Sequence, residues 1–371
     1  MKVGIVTFYR VANYGAMLQA YALWHYLESR GHEVVFVQCP RCAPTRRPFL
    51  WCFVARSVSS ARAKLRAHIR FPVTEFARMF PQTLRCRSWE DFCSVGRVCD
   101  AFVVGSDQMW NPRWCSSYLP FVMLDFAAEG KLRVAYAVSI SEREWRPDQK
   151  VEEAIPLMCK FAAISVREES GAEIVRSLTG RADVQCRIDP ALLFDGDFYR
   201  KFVFDVGGGA YVFRYLLDEW SDSTAEAEAV SIVCEKLATR RVLDDRTTKL
   251  GWKMPICRAL GIEGKVSVET WLSRIAHSRF VVTNSFHGTV FAILFHRPFV
   301  SLLLKGDKVA NMNERAISLL GKLGLSERAV YADDKEGIRK ALEVDIDWAV
   351  VDMRIEHERS LSAEFLRGVG L

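Results

Sequence analysis

Residues 279 to 300 read RFVVTNSFHGTVFAILFHRPFV. The apolar, β-branched run Phe280 to Val282 reads as a buried strand, and it stops at Thr283, Asn284 and Ser285. His287 and Gly288 mark the turn, an apolar run of helical length follows, and Pro298 opens the next β-rich run. Strand, polar turn, helix and strand in this order make a βαβ unit, whose two strands run parallel and are covered by the helix. A parallel strand delivers its carboxyl end to the crevice where such sheets bind ligands. Thr283 to Ser285 is therefore where the strand leaves the core, and the segment from His287 is where the next helix presents its N–H groups.

The same rhythm extends in both directions. KVGIVTF, the helical YGAMLQAYALWHYLESRG with Gly31 as its stop, and EVVFVQC form a β-α-β opening. DAFVVGSD, RVAYAVSIS, a helix in DQKVEEAIPLMCKFA, the strand AAISVRE, the helix SGAEIVRSLTG and the strand DVQCRID continue it. The pattern breaks between Pro190 and Gly209, where three consecutive glycines suggest a hinge. It then resumes with AYVFRYLLD, a helix over 222 to 239, RVLDD, VETWLSRIAHS, the opening stretch, NERAISLLGKLG and RAVYA. The expected fold is α/β, with two Rossmann-like lobes facing across a cleft. They comprise residues 1 to 190, holding a basic, mostly helical insertion at about 42 to 98, and residues 210 to 335, joined by a hinge at 191 to 209. Residues 336 to 371 read as continuous helix able to cross back onto the first lobe.

With 371 residues, 26% charged and 12% aromatic, the chain has room for two cores and the composition of a folded protein. No apolar run is long enough for a membrane span and the N-terminus lacks a secretory layout, so a cytoplasmic location is expected. The 11 cysteines are odd in number and scattered, with Cys39 and Cys42 the single C-x-x-C, so no metal site is expected. From Val34 to Thr74 there is no acidic residue, while Arg41, Arg46, Arg47, Arg56, Arg62, Lys64, Arg66 and Arg70 interleave with apolar residues. Such a segment either contacts an anionic membrane surface or is a solvated helical insertion. Nothing points to nucleic acid: the basic run contains no recognised binding module.

Four strand ends carry polar residues that a purely structural strand does not need. Asn13 is placed to cap the helix starting near Gly15, whose free N–H groups attract an anion. In VVGSDQMWNP, Gly105 allows a tight turn that brings Ser106, Asp107 and Gln108 to the cleft, with Trp110 beside them as a sugar platform. Asp107 serves there either as an acid or base or as a cap for the turn. Arg167, ending ISVREESG, suits a phosphate or carboxylate, while Glu168 and Glu169 offer it an ordinary ion pair. His287 is a candidate proton carrier or anion donor, or a simple capping residue.

Taken together, VGIVTFYRVANYGAMLQAYAL, VVGSDQMWNP, LDFA (124 to 127), AYAVSIS, ISVREESG, RIDPALLFD and TNSFHGTVFAILFHRPFV resemble the polysaccharide pyruvyl transferase family in order and distance, over about residues 2 to 330. The resemblance implies a GT-B-like fold and transfer of the pyruvyl group of phosphoenolpyruvate to two hydroxyls of a sugar. Phosphoenolpyruvate is then a co-substrate, no cofactor is required, and the acceptor is a sugar or lipid-linked oligosaccharide at the inner face of the cell membrane. It implies donor contacts for Arg167, Ser285, His287, Gly288 and Thr289, with Arg315 in NMNERAI either a further anion ligand or one half of a surface pair with Glu314. Asn13, Tyr14, Gly15, Gln108 and Trp110 fall on the acceptor side, and His287 and Asp107 are the catalytic candidates.

One position departs from the family. Members carry an arginine two residues before the motif histidine, where this chain has Ser285. A charged hydrogen bond there is worth roughly 1.5 to 3 kcal/mol. Arg315 or Lys305 is then needed to replace it, or the donor differs. Two other readings stand beside pyruvyl transfer: a glycan transferase using a sugar nucleotide, with Glu269 or Asp307 as the acidic ribose contact, and a non-catalytic glycan-binding protein.

Overall fold

The computed structural model describes residues 1–38, 58–69, 71–82, 86, 88–207, 210–217, 223–247, 256, 264–306 and 310–371. Its first sheet contains β1 (Lys2–Val6), β2 (Glu33–Phe36), β3 (Ala101–Gly105), β4 (Leu132–Val138), β5 (Ala163–Val166) and β6 (Gln185–Cys186). All pairs are parallel, in the order β2-β1-β3-β4-β5-β6. The second sheet contains β7 (Val212–Tyr215), β8 (Val242–Leu243), β11 (Phe280–Thr283), β12 (Phe299–Leu303) and β13 (Ala329–Tyr331), parallel throughout in the order β13-β12-β11-β7-β8. A small antiparallel ladder pairs β9 (Arg246–Thr247) with β10 (Gly264–Lys265).

Both sheets are covered on two faces, which is why their strands read as unbroken apolar runs. Every residue of β3, β11 and β12 is buried. Alternate side chains of β3 part company: Ala101 and Val103 enter one cluster, Phe102 and Val104 another. The cluster holding Ala101 and Val103 is shared between the lobes. It runs from Val3, Tyr14 and Leu18 through Tyr199 to Trp271, Phe291 and Leu366. The far face of the second sheet has a smaller core of its own around Val212, Phe280 and Val330.

Within the basic insertion the described residues form helices at Val58–Ile69, Phe71–Glu75 and Trp89–Val98, the last started by a capping box between Ser88 and Asp91. Arg62 and Arg66 are exposed, while Arg41, Arg46, Arg47, Arg56 and Arg70 lie outside the described residues, as do Cys39 and Cys42. The proposed hinge begins with a packed 3-10 turn at Pro190–Leu193 and a short helix at Gly196–Arg200, and Gly208 and Gly209 lie outside the described residues.

The C-terminal segment is not continuous helix. It divides into Lys335–Glu343 and Trp348–Gly368, because Val344 turns extended and Asp347 caps a new helix by accepting from the Val350 N–H at 3.2 Å. The second helix touches both lobes. Lys322 meets Glu358 at 2.9 Å on the second-lobe side, and on the other Phe365 contacts the Tyr136 ring and the Arg359 Nε donates to the Leu192 carbonyl at 2.7 Å. Among the described residues no helix is long and apolar enough to cross a membrane.

Candidate active site

The carboxyl ends of the strands converge where the helix Tyr14–Ser29 of the first lobe and the helix Phe286–Leu294 of the second begin. Asn13 caps the helix Tyr14–Ser29, its Oδ1 accepting from the Ala16 N–H at 3.2 Å. Ser285 caps the all-buried helix Phe286–Leu294, accepting from the Gly288 N–H at 3.3 Å, and Thr283 Oγ1 accepts from the Ser285 N–H at 3.0 Å. The two helix starts touch: a Cβ on Gly15 would lie 2.0 Å from Cγ of His287. The imidazole thus rests on bare backbone, and only glycine leaves room for it.

After β3 the chain turns at Ser106 and Asp107, both in the left-handed region (φ 28° and 56°), rather than at Gly105. The strain is over-determined by hydrogen bonds: the Ser106 N–H donates to the Tyr136 carbonyl at 3.0 Å and the Ser139 N–H to the Asp107 carbonyl at 2.9 Å. The turn presents Asp107 with its carboxylate 3.5 Å from Arg167 Nη2.

Arg167 leaves β5 into a buried polar cluster. Its Nη1 donates to Asp189 Oδ2 at 2.6 Å, and its guanidinium lies 4.6 Å from the centre of the Phe286 ring. Asp189 is the centre of this cluster, and nothing in the sequence reading assigned it. It follows β6 in RIDP and is 1% exposed. It accepts from Ser106 Oγ at 2.7 Å, and its Oδ2 lies 3.4 Å from His287 Nε2, within ion-pair distance but off a hydrogen-bond direction. Burial opposes its charge, yet His287, Arg167 and Ser106 hold the carboxyl well below the ordinary range. A polar residue at the end of β6 was the available signal, since RIDP repeats the strand-end pattern read elsewhere.

Arg315, on the helix Ala310–Leu323, completes the constellation. It is buried rather than on the surface, and Glu314 does not pair with it. Its guanidinium lies 5.8 Å from the Phe286 ring centre, its Nε has no hydrogen-bond partner, and no ion pair reaches it among the described residues. Burial and then the charge of Arg167 bring its pKa down to about 10, against the pull of Asp107, Glu168 and Asp189. Lys305, the other cation considered for the missing arginine, is exposed and engaged by Asp333.

The two glutamates beside Arg167 do not pair with it. Glu168 Oε1 accepts from Ser139 Oγ and from the N–H groups of Ile140 and Ser141 at 3.0, 2.7 and 3.0 Å, and Glu169 pairs with Arg176 at 2.7 Å. The serines of AYAVSIS therefore hold a buried carboxylate at the site, a role that a strand-end serine does not reveal in sequence. Glu168 Oε2 is left without a partner.

Four expected contacts are structural instead. Trp110 is fully buried, donates from Nε1 to the Val122 carbonyl at 3.2 Å and packs edge-on against Phe161, so it offers no sugar platform. Tyr14 is fully buried: its hydroxyl donates to the Val266 carbonyl of the second lobe at 3.0 Å and its ring stacks on Trp271, which makes it a pin between lobes rather than an acceptor wall. Thr289 donates to Ser301 Oγ at 2.9 Å inside the second lobe, and Gly288 admits Thr283, whose Oγ1 would lie 2.3 Å from an added Cβ, rather than a ligand. Gln108 accepts from Asn111 Nδ2 at 2.8 Å at the rim. Asp307 lies outside the described residues, and no His, Cys, Asp or Glu group able to hold a metal occurs among those described.

The model of the polysaccharide pyruvyl transferase family matches residues 13–305. No curated protein matches the sequence closely enough to count as a relative. Among solved structures, the chain is similar to the UDP-GlcNAc 2-epimerase of Neisseria meningitidis bound to UDP-GlcNAc (9% identity, TM-score 0.50, covering 99% of this chain and 100% of that one). It also aligns with the corresponding enzyme of Methanocaldococcus jannaschii (10% identity, TM-score 0.49, 94% and 93% covered). At these identities the likeness concerns the two-lobed GT-B type of fold alone.

Proposed function

Because the chain belongs to the polysaccharide pyruvyl transferase family, and is thus a transferase, we propose that it moves the pyruvyl group of phosphoenolpyruvate onto two hydroxyls of a sugar in a cell-surface polysaccharide precursor. The observation that carries the donor is the buried arginine pair. Arg315 lies buried over the same Phe286 ring as Arg167, its Nε without a hydrogen-bond partner, an arrangement that costs free energy unless an anion joins it. It supplies, from another helix, the second cation that Ser285 cannot.

The chemistry balances with the groups at hand. Protonation of the enol methylene makes C2 electrophilic, a sugar hydroxyl attacks C2, phosphate departs, and a second hydroxyl closes the cyclic ketal. Of the two hydroxyl protons, one ends on the new methyl group and the other on phosphate. Arg167 and Arg315 bind and orient the phosphate and carboxylate of the donor. His287, with a buried ring nitrogen unspent in hydrogen bonding, carries the proton to the methylene. Asp107, at the strained turn, is the acceptor-side base by its position. Asn13 has committed its side-chain oxygen to the cap, so its contribution to the acceptor is the helix start it fixes.

The test is acceptor-dependent phosphate release from phosphoenolpyruvate over a panel of glycan acceptors. Release is expected in the wild type, with kcat/KM falling at least about 100-fold in His287→Ala and about 10- to 100-fold in Arg315→Met, the loss of one charged hydrogen-bonding group. Calorimetric binding of a nucleoside diphosphate sugar together with no binding of phosphoenolpyruvate would sink the proposal.

A further inference from the structure

A carboxylate at the heart of an anion site is a cost that something must offset. Asp189 lies 2.6 Å from Arg167 and competes with any bound anion for the guanidinium. Its other contacts show what it holds. Oδ1 accepts from the Ala191 N–H at 3.0 Å, Ser106 Oγ donates to Oδ2 at 2.7 Å, and His287 Nε2 lies 3.4 Å from the same oxygen. Ser106 and Arg167 come from the ends of β3 and β5 in the first lobe, and His287 comes from the second. The imidazole also rests on Gly15, whose added Cβ would lie 2.1 Å from Nδ1. The ring is therefore near both the backbone of one element and a carboxylate of another.

From this juxtaposition the geometry points to Asp189 as a positioning residue that aims His287 at the donor across the lobe boundary, at the expense of donor affinity. It acts through His287 and does not touch the reacting atoms. The inference rests on the pyruvyl transfer reading for its kinetic half and on geometry alone for its binding half. Its signature is a split that a merely structural carboxylate would not produce, since loss of structure weakens binding and turnover together.

Asp189→Asn is made in the full chain, with Asp189→Glu, which restores the charge at a displaced position, as its companion. Thermal melts establish that each variant is folded, and if the asparagine variant does not fold, Asp189→Ser is read in its place. By calorimetry with inorganic phosphate and then phosphoenolpyruvate, the folded neutral variant binds as tightly as the wild type or more tightly, because Arg167 is released from its internal partner. Its kcat for phosphate release falls roughly 100-fold, and Asp189→Glu recovers part of that loss. Weaker phosphate binding in a folded neutral variant overturns the inference, and so does unchanged kcat. The phosphate measurement holds whichever donor the enzyme uses. Failure of wild-type protein to bind phosphoenolpyruvate refutes the proposed donor, whereas wild-type turnover with an unimpaired Asp189→Asn refutes this inference alone.

Discussion

Arg315 is the residue at which function and stability oppose one another. An arginine removed from water, unpaired and beside a second arginine, is destabilising in the absence of ligand. A methionine of similar length fills the same space without the charge. Arg315→Met is expected to unfold at higher denaturant concentration than the wild type, by about 1 kcal/mol or more, while losing donor affinity. Urea titration reads the first effect and calorimetry the second. A variant that loses stability would mean that Arg315 holds the fold and not a ligand. The sequence placed Arg315 among the candidates but left it equal to a surface partner of Glu314. Burial separates those readings, and burial depends on how the helix Ala310–Leu323 packs.

At the level of elements, the cap at Asn13 was legible in the sequence and is formed. Ser285 and Ser88, not read as caps, also accept from the first turn of their helices. Asp347 is a further unread cap, hidden in a tract that reads as one long helix and yet starting a separate one. Asp347→Ala leaves the Val350 N–H without that acceptor and is expected to cost about 1 kcal/mol. The check is amide exchange in the first turn of Trp348–Gly368, which should accelerate there and not in Lys335–Glu343. Uniform exchange across both helices would contradict the division. Trp110 and Tyr14 were misread for one reason: an aromatic beside a strand end looks the same in sequence whether its ring faces the cleft or the core.

For the whole molecule, the consequence of a shared core is that the lobes are tied at several points. The pins are Tyr14 with Trp271, Asp189 between Arg167 and His287, and the final helix reaching Tyr136 through Phe365. Phe365→Ala removes a buried ring from the helix that spans both lobes and is expected to cost about 3 kcal/mol. The loss should appear as a single cooperative transition shifted to lower temperature in calorimetry. Two separate transitions would show that the lobes unfold independently and that the common core carries little of their coupling.

The sequence by itself determined the alternation of strands and helices, the two parallel sheets, the helix start at Asn13, and the strand ends at which Arg167 and His287 emerge. These follow from periodicity and capping, which act over a few residues. The tertiary structure alone decided which polar residues come together in one buried cluster. Asp189 joins residues 22 positions before it and 98 positions after it in the chain, and Arg315 comes to face the same Phe286 ring as Arg167. Such encounters are set by the docking of whole elements, and no local pattern records them. A helix outside the motif that contains Ser285 thus brings a second arginine to the Phe286 ring.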